Sequence, residues 1–252
     1  MFFGQRTAQL TPIPRQPSRF VRCSTTWRSA DAVAKEHNMT ETTDRHPPPR
    51  THGLLVHAAA RYDFLVWLLT LGRERAFREK ILSFANLKSG EAVLDVGCGT
   101  GSLAIAARRH VGSTGTVYGI DASPQMLARA EKKASKAGLE VIFKNGAAQA
   151  LPFPDAQFDA VMSTLMLHHL PRKGREQCAR EICRVLKPCG RALVVDFGGS
   201  RNRGGLLAHF HRHGQVKLDE IVALLGEAGL TIVDSGAVVF RDLQFVRASA
   251  PC

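Results

Sequence analysis

The run Ala92-Val93-Leu94-Asp95-Val96-Gly97-Cys98-Gly99-Thr100-Gly101 sets the fold of this chain. Ala92 to Val96 is short, rich in Val and Leu, and bounded by Gly90 and Gly97, which reads as a buried strand. Three glycines follow at alternate positions. Leu103, Ile105 and Ala106 then begin a helical spacing. A strand, a glycine turn and a helix start make a nucleotide-site geometry. The glycines let the backbone turn tightly and approach a ligand, and N–H groups at the helix start favour electron-rich groups.

Spacing separates the cofactor classes. A dinucleotide fingerprint, G-x-G-x-x-G, needs its third glycine where Ser102 stands. A phosphate loop needs a Gly-Lys-Ser/Thr that is absent here. A second strand, Thr116 to Ile120, ends in Asp121. An acid at that tip is placed to accept hydrogen bonds from both ribose hydroxyls of an adenosine.

Four further segments accompany VLDVGCGTG (93–101): YGIDASPQML (118–127), ALPFPDAQFD (150–159), LHHL (167–170) and EICRVLKPCGRALVVDF (181–197). In this order and spacing the chain resembles the class I S-adenosylmethionine-dependent methyltransferases. The likeness falls in the branch that includes the ubiquinone/menaquinone C-methyltransferases (the methyltransferase type 11 domain), and covers roughly residues 59–248. It implies an α/β fold with a seven-stranded Rossmann-like sheet of order 3-2-1-4-5-7-6. The last strand is antiparallel, helices cover both faces, and an N-terminal helical cap precedes the core.

The residue pattern agrees with that architecture. Strands are expected at 92–97, 116–120, 140–144, 158–163 and 191–197, with helices at about 101–110, 123–137 and 173–186. Ser123-Pro124 supplies an N-cap and an N1 proline. A further helix at 217–228 precedes Thr231–Asp234 and Leu243–Val246, a close pair that must run antiparallel. We divide the chain into a disordered basic leader (1–51), cap helices (52–88) and an S-adenosylmethionine-binding core (89–252).

Composition narrows the function class. The net charge is +12, and residues 1–51 hold eight Lys/Arg against four Asp/Glu. Such a surface is compatible with nucleic acid, an anionic membrane face or an acidic substrate, and a solvated basic face is the plainer reading. The longest apolar run, Phe64 to Leu71, falls short of a membrane span and is expected to pack as a helix. Before Asp31 the leader has five arginines (Arg6, Arg15, Arg19, Arg22, Arg28) and no acid. That pattern resembles a mitochondrial transit peptide, while a start at Met39 would make it untranslated. A cytoplasmic protein is the favoured expectation. Six cysteines without a C-x-x-C suggest neither a disulfide scaffold nor zinc, and fit a reducing compartment.

The resemblance carries site roles onto particular residues. Gly97, Cys98, Gly99 and Gly101 are expected to bring backbone against the methionine half of S-adenosylmethionine. Asp95 is expected to favour its ammonium, and Asp121, with Ala122 beside it, to hold the ribose. The alternatives are a turn-stabilising role for Asp95 and a helix-entry cap for Asp121. Met126 matches an apolar contact to adenine, or plain core. Relatives usually carry an Asp or Asn where Ala147 stands, so adenine would be met by backbone at Ala147 and Ala148, with Gln149 or Asn145 substituting. At the fourth strand tip, Ser163, Thr164 and Met166 suggest a modest, largely apolar cavity.

A methyl sulfonium is already activated, so transfer chiefly needs donor and acceptor aligned at ~3–3.5 Å and water excluded. An acceptor that must lose a proton also calls for a base, and His168 is the candidate, ahead of His169. His209, His211 and His213 alternate, but no carboxylate or Cys shares their spacing, so a flexible basic cover with Arg201, Arg203 and Arg212 is expected there rather than a metal site. Quinone-acting relatives carry a longer insertion there, which argues against a quinone. The Asn/Asp-Pro-Pro-Tyr/Phe of base methyltransferases is missing, and Pro188-Cys189 lies in a turn away from the methyl site. Cys189 stands in a family Pro-Gly-Gly turn, where a type I turn is expected. The expected function is methylation of a small, hydrophobic acceptor at carbon or oxygen. The competing readings are an RNA or protein methyltransferase and a non-catalytic binding protein or sensor.

Overall fold

A computed structural model describes residues 74–198, 216–238 and 243–252 of the chain. The leader, Tyr62 and Trp67 of the cap segment, and His209, His211 and His213 lie outside the described residues. The elements in chain order begin with α1 (Glu74–Ala85), β1 (Ala92–Val96), α2 (Ser102–Val111), β2 (Thr116–Asp121) and α3 (Pro124–Lys136). Next come β3 (Ile142–Asn145), β4 (Phe158–Thr164), a 3-10 turn (Leu167–His169), α4 (Arg172–Val185) and β5 (Leu186–Phe197). The remainder is α5 (Leu218–Glu227), β6 (Thr231–Ala237) and β7 (Leu243–Ser249).

These strands form one sheet in the order β3-β2-β1-β4-β5-β7-β6, as the sequence predicts. The first five are mutually parallel, and β7 runs antiparallel to both β5 and β6. Alternation along β1 divides the core. Leu94 and Val96 join Val161, Val194, Ile182 of α4 and Ile221 of α5 on one face. Val93 joins Met162, Leu193, Ile81 of α1 and Leu103 of α2 on the other. A strand covered on both faces needs apolar residues at successive positions, which is why the 92–96 run reads as continuous. Each fully buried aliphatic chain contributes roughly 1.5–3 kcal/mol. The α3 entry is as expected: Ser123 Oγ accepts from the Met126 N–H at 3.4 Å, and Pro124 opens the helix.

Three expectations need correction around β5. The strand begins at Leu186 rather than 191, because Lys187–Gly190 bulges within it. Its partners step from Phe158 to Ala160 on β4 while β5 advances from Leu186 to Arg191. Cys189 takes φ 57°, so the type I turn does not form. Cys189 is also disulfide-bonded to Cys252, against the expectation that the cysteines fit a reducing compartment. Two backbone bonds hold the junction: Cys189 N–H to Pro251 O at 3.1 Å and Ala250 N–H to Gly190 O at 2.8 Å. They extend the β5–β7 ladder and bring the two thiols together. Among the described residues, no helix is long and apolar enough to cross a membrane.

Candidate active site

The carboxyl ends of β1, β2, β4 and β5 carry the polar residues that the apolar sheet leaves over. After β1 the chain enters the glycine loop, where Gly97, Gly99 and Gly101 have φ of 73°, 54° and 74°. Left-handed backbone of this kind costs other residues about 1–2 kcal/mol. The Gly97 and Cys98 N–H groups both donate to Ile120 O, at 2.8 and 3.0 Å. The Gly99 N–H donates to Asp121 Oδ2 at 2.8 Å. Space matters too. A Cβ at Gly97 would fall 2.2 Å from Met166 Cγ, and one at Gly101 2.7 Å from Ala130 Cβ. Gly101 therefore seats α3 and the Phe143 ring of β3 against the loop. Lys133 of α3 donates to Thr100 Oγ1 at 2.7 Å and to Ser102 Oγ at 3.1 Å, pinning the loop from outside.

Asp95 and Asp121 flank this loop. Asp95 is buried, and its Oδ2 has no hydrogen-bond partner among the described residues. Burial, then the Asp121 charge, push its carboxyl up to about 7, against a hydrogen bond from the Ala104 backbone. The same burial and the two carboxylates keep the Cys98 thiol protonated. Burial also raises Asp121, opposed by the N–H groups of Ser123, Gly99 and Ala122. Asp121 Oδ1 accepts from the Ser123 N–H at 2.9 Å. Asp121 thus ties the glycine loop to the α3 entry, while Ser123 itself caps the helix. With about four acceptor sites and N–H groups of Gly99, Ser123 and Ala122 upon it, the Asp121 carboxylate keeps an acceptor site for a ligand hydroxyl. An orphaned buried carboxylate oxygen beside a second carboxylate suits a cationic, hydroxyl-bearing ligand. These residues fit S-adenosylmethionine, with its ammonium, sulfonium and ribose.

The segment after β3 lies on the β2 tip. Asn145 Nδ2 and the Gly146 N–H both donate to Asp121 O, at 2.9 and 3.1 Å. Ala147 is buried and pairs with Ala150 in a short bridge. The Gln149 amide lies against Gly174 of α4. Asn145 spends an amide donor on the β2 tip, and the Ala147–Ala148 backbone stands beside it as an adenine-facing candidate. Met126 is buried in the first turn of α3. Phe153 anchors the segment, edge-on to Tyr118 and Phe158 at 5.5 and 5.1 Å between centroids. Arg184 holds the Leu151 and Phe153 carbonyls at 3.0 and 2.8 Å.

On β4, Ser163 sits between Val96 and Val194. Ser163 Oγ and Thr164 Oγ1 are buried without partners among the described residues. Leu165 follows with φ 56°, and the chain tightens into the 3-10 turn. There His168 meets Asp196 of β5, a partner that sequence reasoning missed. His168 Nδ1 donates to Asp196 Oδ1 at 2.7 Å, and the His168 N–H to Oδ2 at 3.1 Å. Asp196 is wholly buried and also accepts from the Phe197 N–H at 2.7 Å. With Nδ1–H fixed toward a carboxylate, Nε2 becomes the nitrogen able to take a proton. The His169 ring lies tilted at 42° against His168, 4.0 Å between centroids, and burial, with the neighbouring His168, lowers its pKa to about 4. His169 is thus neutral across the physiological range and a poor proton acceptor. The signal for Asp196 was present: it is a lone carboxylate in the apolar run Ala192–Phe197.

The sheet order, the glycine loop with carboxylates at the β1 and β2 tips, and the orphaned Asp95 oxygen define a class I methyltransferase. Comparison with known proteins agrees. Residues 93–190 match a family model described as a methyltransferase domain. The chain is 36% identical over 162 residues to the demethylmenaquinone methyltransferase of Lactobacillus johnsonii, covering 64% of this chain and 66% of that one. It is 34% identical over 168 residues to the 2-phytyl-1,4-naphtoquinone methyltransferase of Trichormus variabilis, covering 66% of this chain and 70% of that one. A crystal structure of a SAM-dependent methyltransferase from Aquifex aeolicus superposes with a TM-score of 0.62 at 26% identity, over 76% of this chain and 97% of that one. The chain belongs to the S-adenosylmethionine-dependent methyltransferases, in the branch of the ubiquinone/menaquinone C-methyltransferases. It spans somewhat under two thirds of the length of the first curated relatives it matches.

Proposed function

We propose that this protein methylates a small, apolar acceptor at an oxygen or an acidified ring carbon, with His168 as the general base. The observation that carries this reading is the 2.7 Å contact between His168 Nδ1 and the buried Asp196. S-adenosylmethionine, when bound, supplies an activated methyl group. Asp95 and Asp121 would hold its ammonium and ribose, and the Ala147–Ala148 backbone its adenine. Ser163 and Thr164 offer hydroxyls at the β4 tip in an otherwise apolar wall. Asp196 orients the His168 ring and stabilises the imidazolium that forms as Nε2 takes the acceptor's proton.

The relatives' names favour a hydroxylated aromatic ring of the naphthoquinol kind. The substrates in those names outweigh the insertion-length argument against quinones, because that argument bears on the cover and not on the reacting ring. The domain division belongs to the same reading, and so does a cytoplasmic setting, where the Cys189–Cys252 pair would stand reduced.

Two experiments test it. Calorimetry should show S-adenosylmethionine and S-adenosylhomocysteine binding, weakened by roughly 1.5–3 kcal/mol in Asp121→Ala, tenfold or more in affinity. Labelled methyl transfer should then appear on reduced 1,4-naphthoquinone and fall in His168→Gln. Cofactor binding with no transfer to phenols, naphthols or RNA would move the protein to a non-catalytic binding role. Transfer to RNA alone would favour the basic surface as a substrate face.

A further inference from the structure

Arg175 is a buried cation in an unfavourable place. It lies in the first turns of α4, beside Arg172 and Lys173, and that first turn contains no acid. The positive end of a helix dipole disfavours a cation there. Burying a guanidinium adds a desolvation cost unless its donors are used. Its Nε is used on the turn that carries His168, and its Nη1 on a carboxylate of α5. Arg175 Nε donates to Leu167 O at 3.0 Å and to Leu170 O at 2.9 Å, the carbonyls on either side of His168 and His169. Arg175 Nη1 donates to Glu220 Oε1 at 2.7 Å, in the first turn of α5.

The segment so held is weak by itself. It enters through Leu165 in the left-handed region, and Met166 gives its 3-10 turn no side-chain cap. The turn's own bonds are His169 N–H to Met166 O at 3.0 Å and Leu170 N–H to Leu167 O at 2.9 Å. Short 3-10 turns have poor hydrogen-bond geometry and depend on outside support. That support arrives from two sides: Asp196 grips the ring and N–H of His168, and Arg175 grips the flanking carbonyls.

We infer that Arg175 is a positioning residue, which fixes the turn carrying His168 so that Asp196 can hold the imidazole in register, with Glu220 as its orienting counter-ion. This rests on the reading of His168 as the base. A shift of the turn would displace Nε2, and displacements near 1 Å cost up to about a hundredfold in rate.

The test is Arg175→Met, with Arg175→Lys and Glu220→Gln beside it. The first readout is the downfield proton resonance of His168 Nδ1–H, assigned by its loss in His168→Gln. Arg175→Met should lose or broaden this resonance while S-adenosylmethionine affinity and the near-ultraviolet circular dichroism stay as in the wild type. On reduced 1,4-naphthoquinone its kcat should fall roughly ten- to a hundredfold with KM for S-adenosylmethionine unchanged. Arg175→Lys, which keeps a cationic donor, should recover part of kcat. Should Arg175→Met fail to fold, Glu220→Gln decides, with a broadened resonance expected. A sharp, unshifted resonance in folded Arg175→Met, or in Glu220→Gln where it must stand in, overturns the inference. If His168→Gln turns over at the wild-type rate, the base reading falls, and the resonance alone judges the clamp.

Discussion

Gly97 and Met166 are in direct contact: the space that a side chain at 97 would need is filled by the Met166 thioether, with Cγ 2.2 Å from the position of a Cβ. The glycine loop and the loop after β4 are therefore packed against each other at the mouth of the site. Gly97→Ala meets two obstacles, a left-handed φ of 73° and this overlap. The costs are about 1–2 kcal/mol for the conformation and about 1–3 kcal/mol for overpacking. Met166→Ala in the Gly97→Ala background should restore only part of the second share, because the Met166 Cβ, 2.8 Å from the position of a Cβ at 97, is kept. Urea midpoints of the two variants measure the division, and complete recovery would mean that φ at 97 is unimportant.

With Asp95 as the proposed contact to the cofactor's ammonium, cofactor affinity should depend on pH. The folded Asp95 carboxyl is raised to about 7 from an ordinary value of 3.8. A raised carboxylate stabilises the fold below its unfolded pKa. That stability is lost as pH rises from about 4 through about 7, by about 1.4 kcal/mol for each pH unit crossed. A bound ammonium reverses the preference and favours the ionised form. S-adenosylmethionine should therefore bind more tightly as pH rises from 6 to 8, releasing roughly half a proton at pH 7. Calorimetry in buffers of different ionisation enthalpy reads that proton directly. Asp95→Asn should bind weakly, with no proton release.

Replacing Asp196 with Asn tests the base more gently than deleting the histidine. An amide oxygen in the place of Oδ1 can accept two of the three N–H bonds now made to the carboxylate, but without the charge it cannot stabilise an imidazolium. The expected result is a fall in kcat of roughly 10²–10⁴-fold, with S-adenosylmethionine affinity within twofold of the wild type. An unchanged kcat would remove the dyad from the reaction.

The Cys189–Cys252 bond closes 63 residues of sequence and should contribute roughly 2–4 kcal/mol. Thermal unfolding with and without reductant measures it. Cys252→Ser should match the reduced wild type and not change further when reductant is added.

How much of this was visible in the sequence depended on range. Strand and helix positions along 92–136 emerged to within a residue or two, because apolar runs, Gly97 and the Ser123-Pro124 pair act locally. Asp121 was read as a candidate site residue from its place at a strand tip. The double use of its carboxylate, toward Gly99 and Ser123, was not, since it depends on the loop path. His168 was visible, whereas Asp196 lies 28 residues away and looks like the polar end of a strand. Cys189 and Cys252 carry no spacing motif, and only the β5–β7 pairing makes them neighbours. The bond from Asn145 to the Asp121 carbonyl was not legible either, because a sequence does not disclose such partners.

The placement of β7 has a consequence for biosynthesis. Leu243–Ser249, the strand made after all the others in the sheet, is an interior strand inserted between β5 and β6. Until it emerges from the ribosome, β5 presents an open edge, and the strand bearing Asp196 lacks half its ladder. Unpaired edges of this kind invite association with other chains. A ribosome paused before residue 243 would thus hold a nascent chain with an assembled cofactor loop and an unfinished base, a stage at which chaperone engagement is most needed.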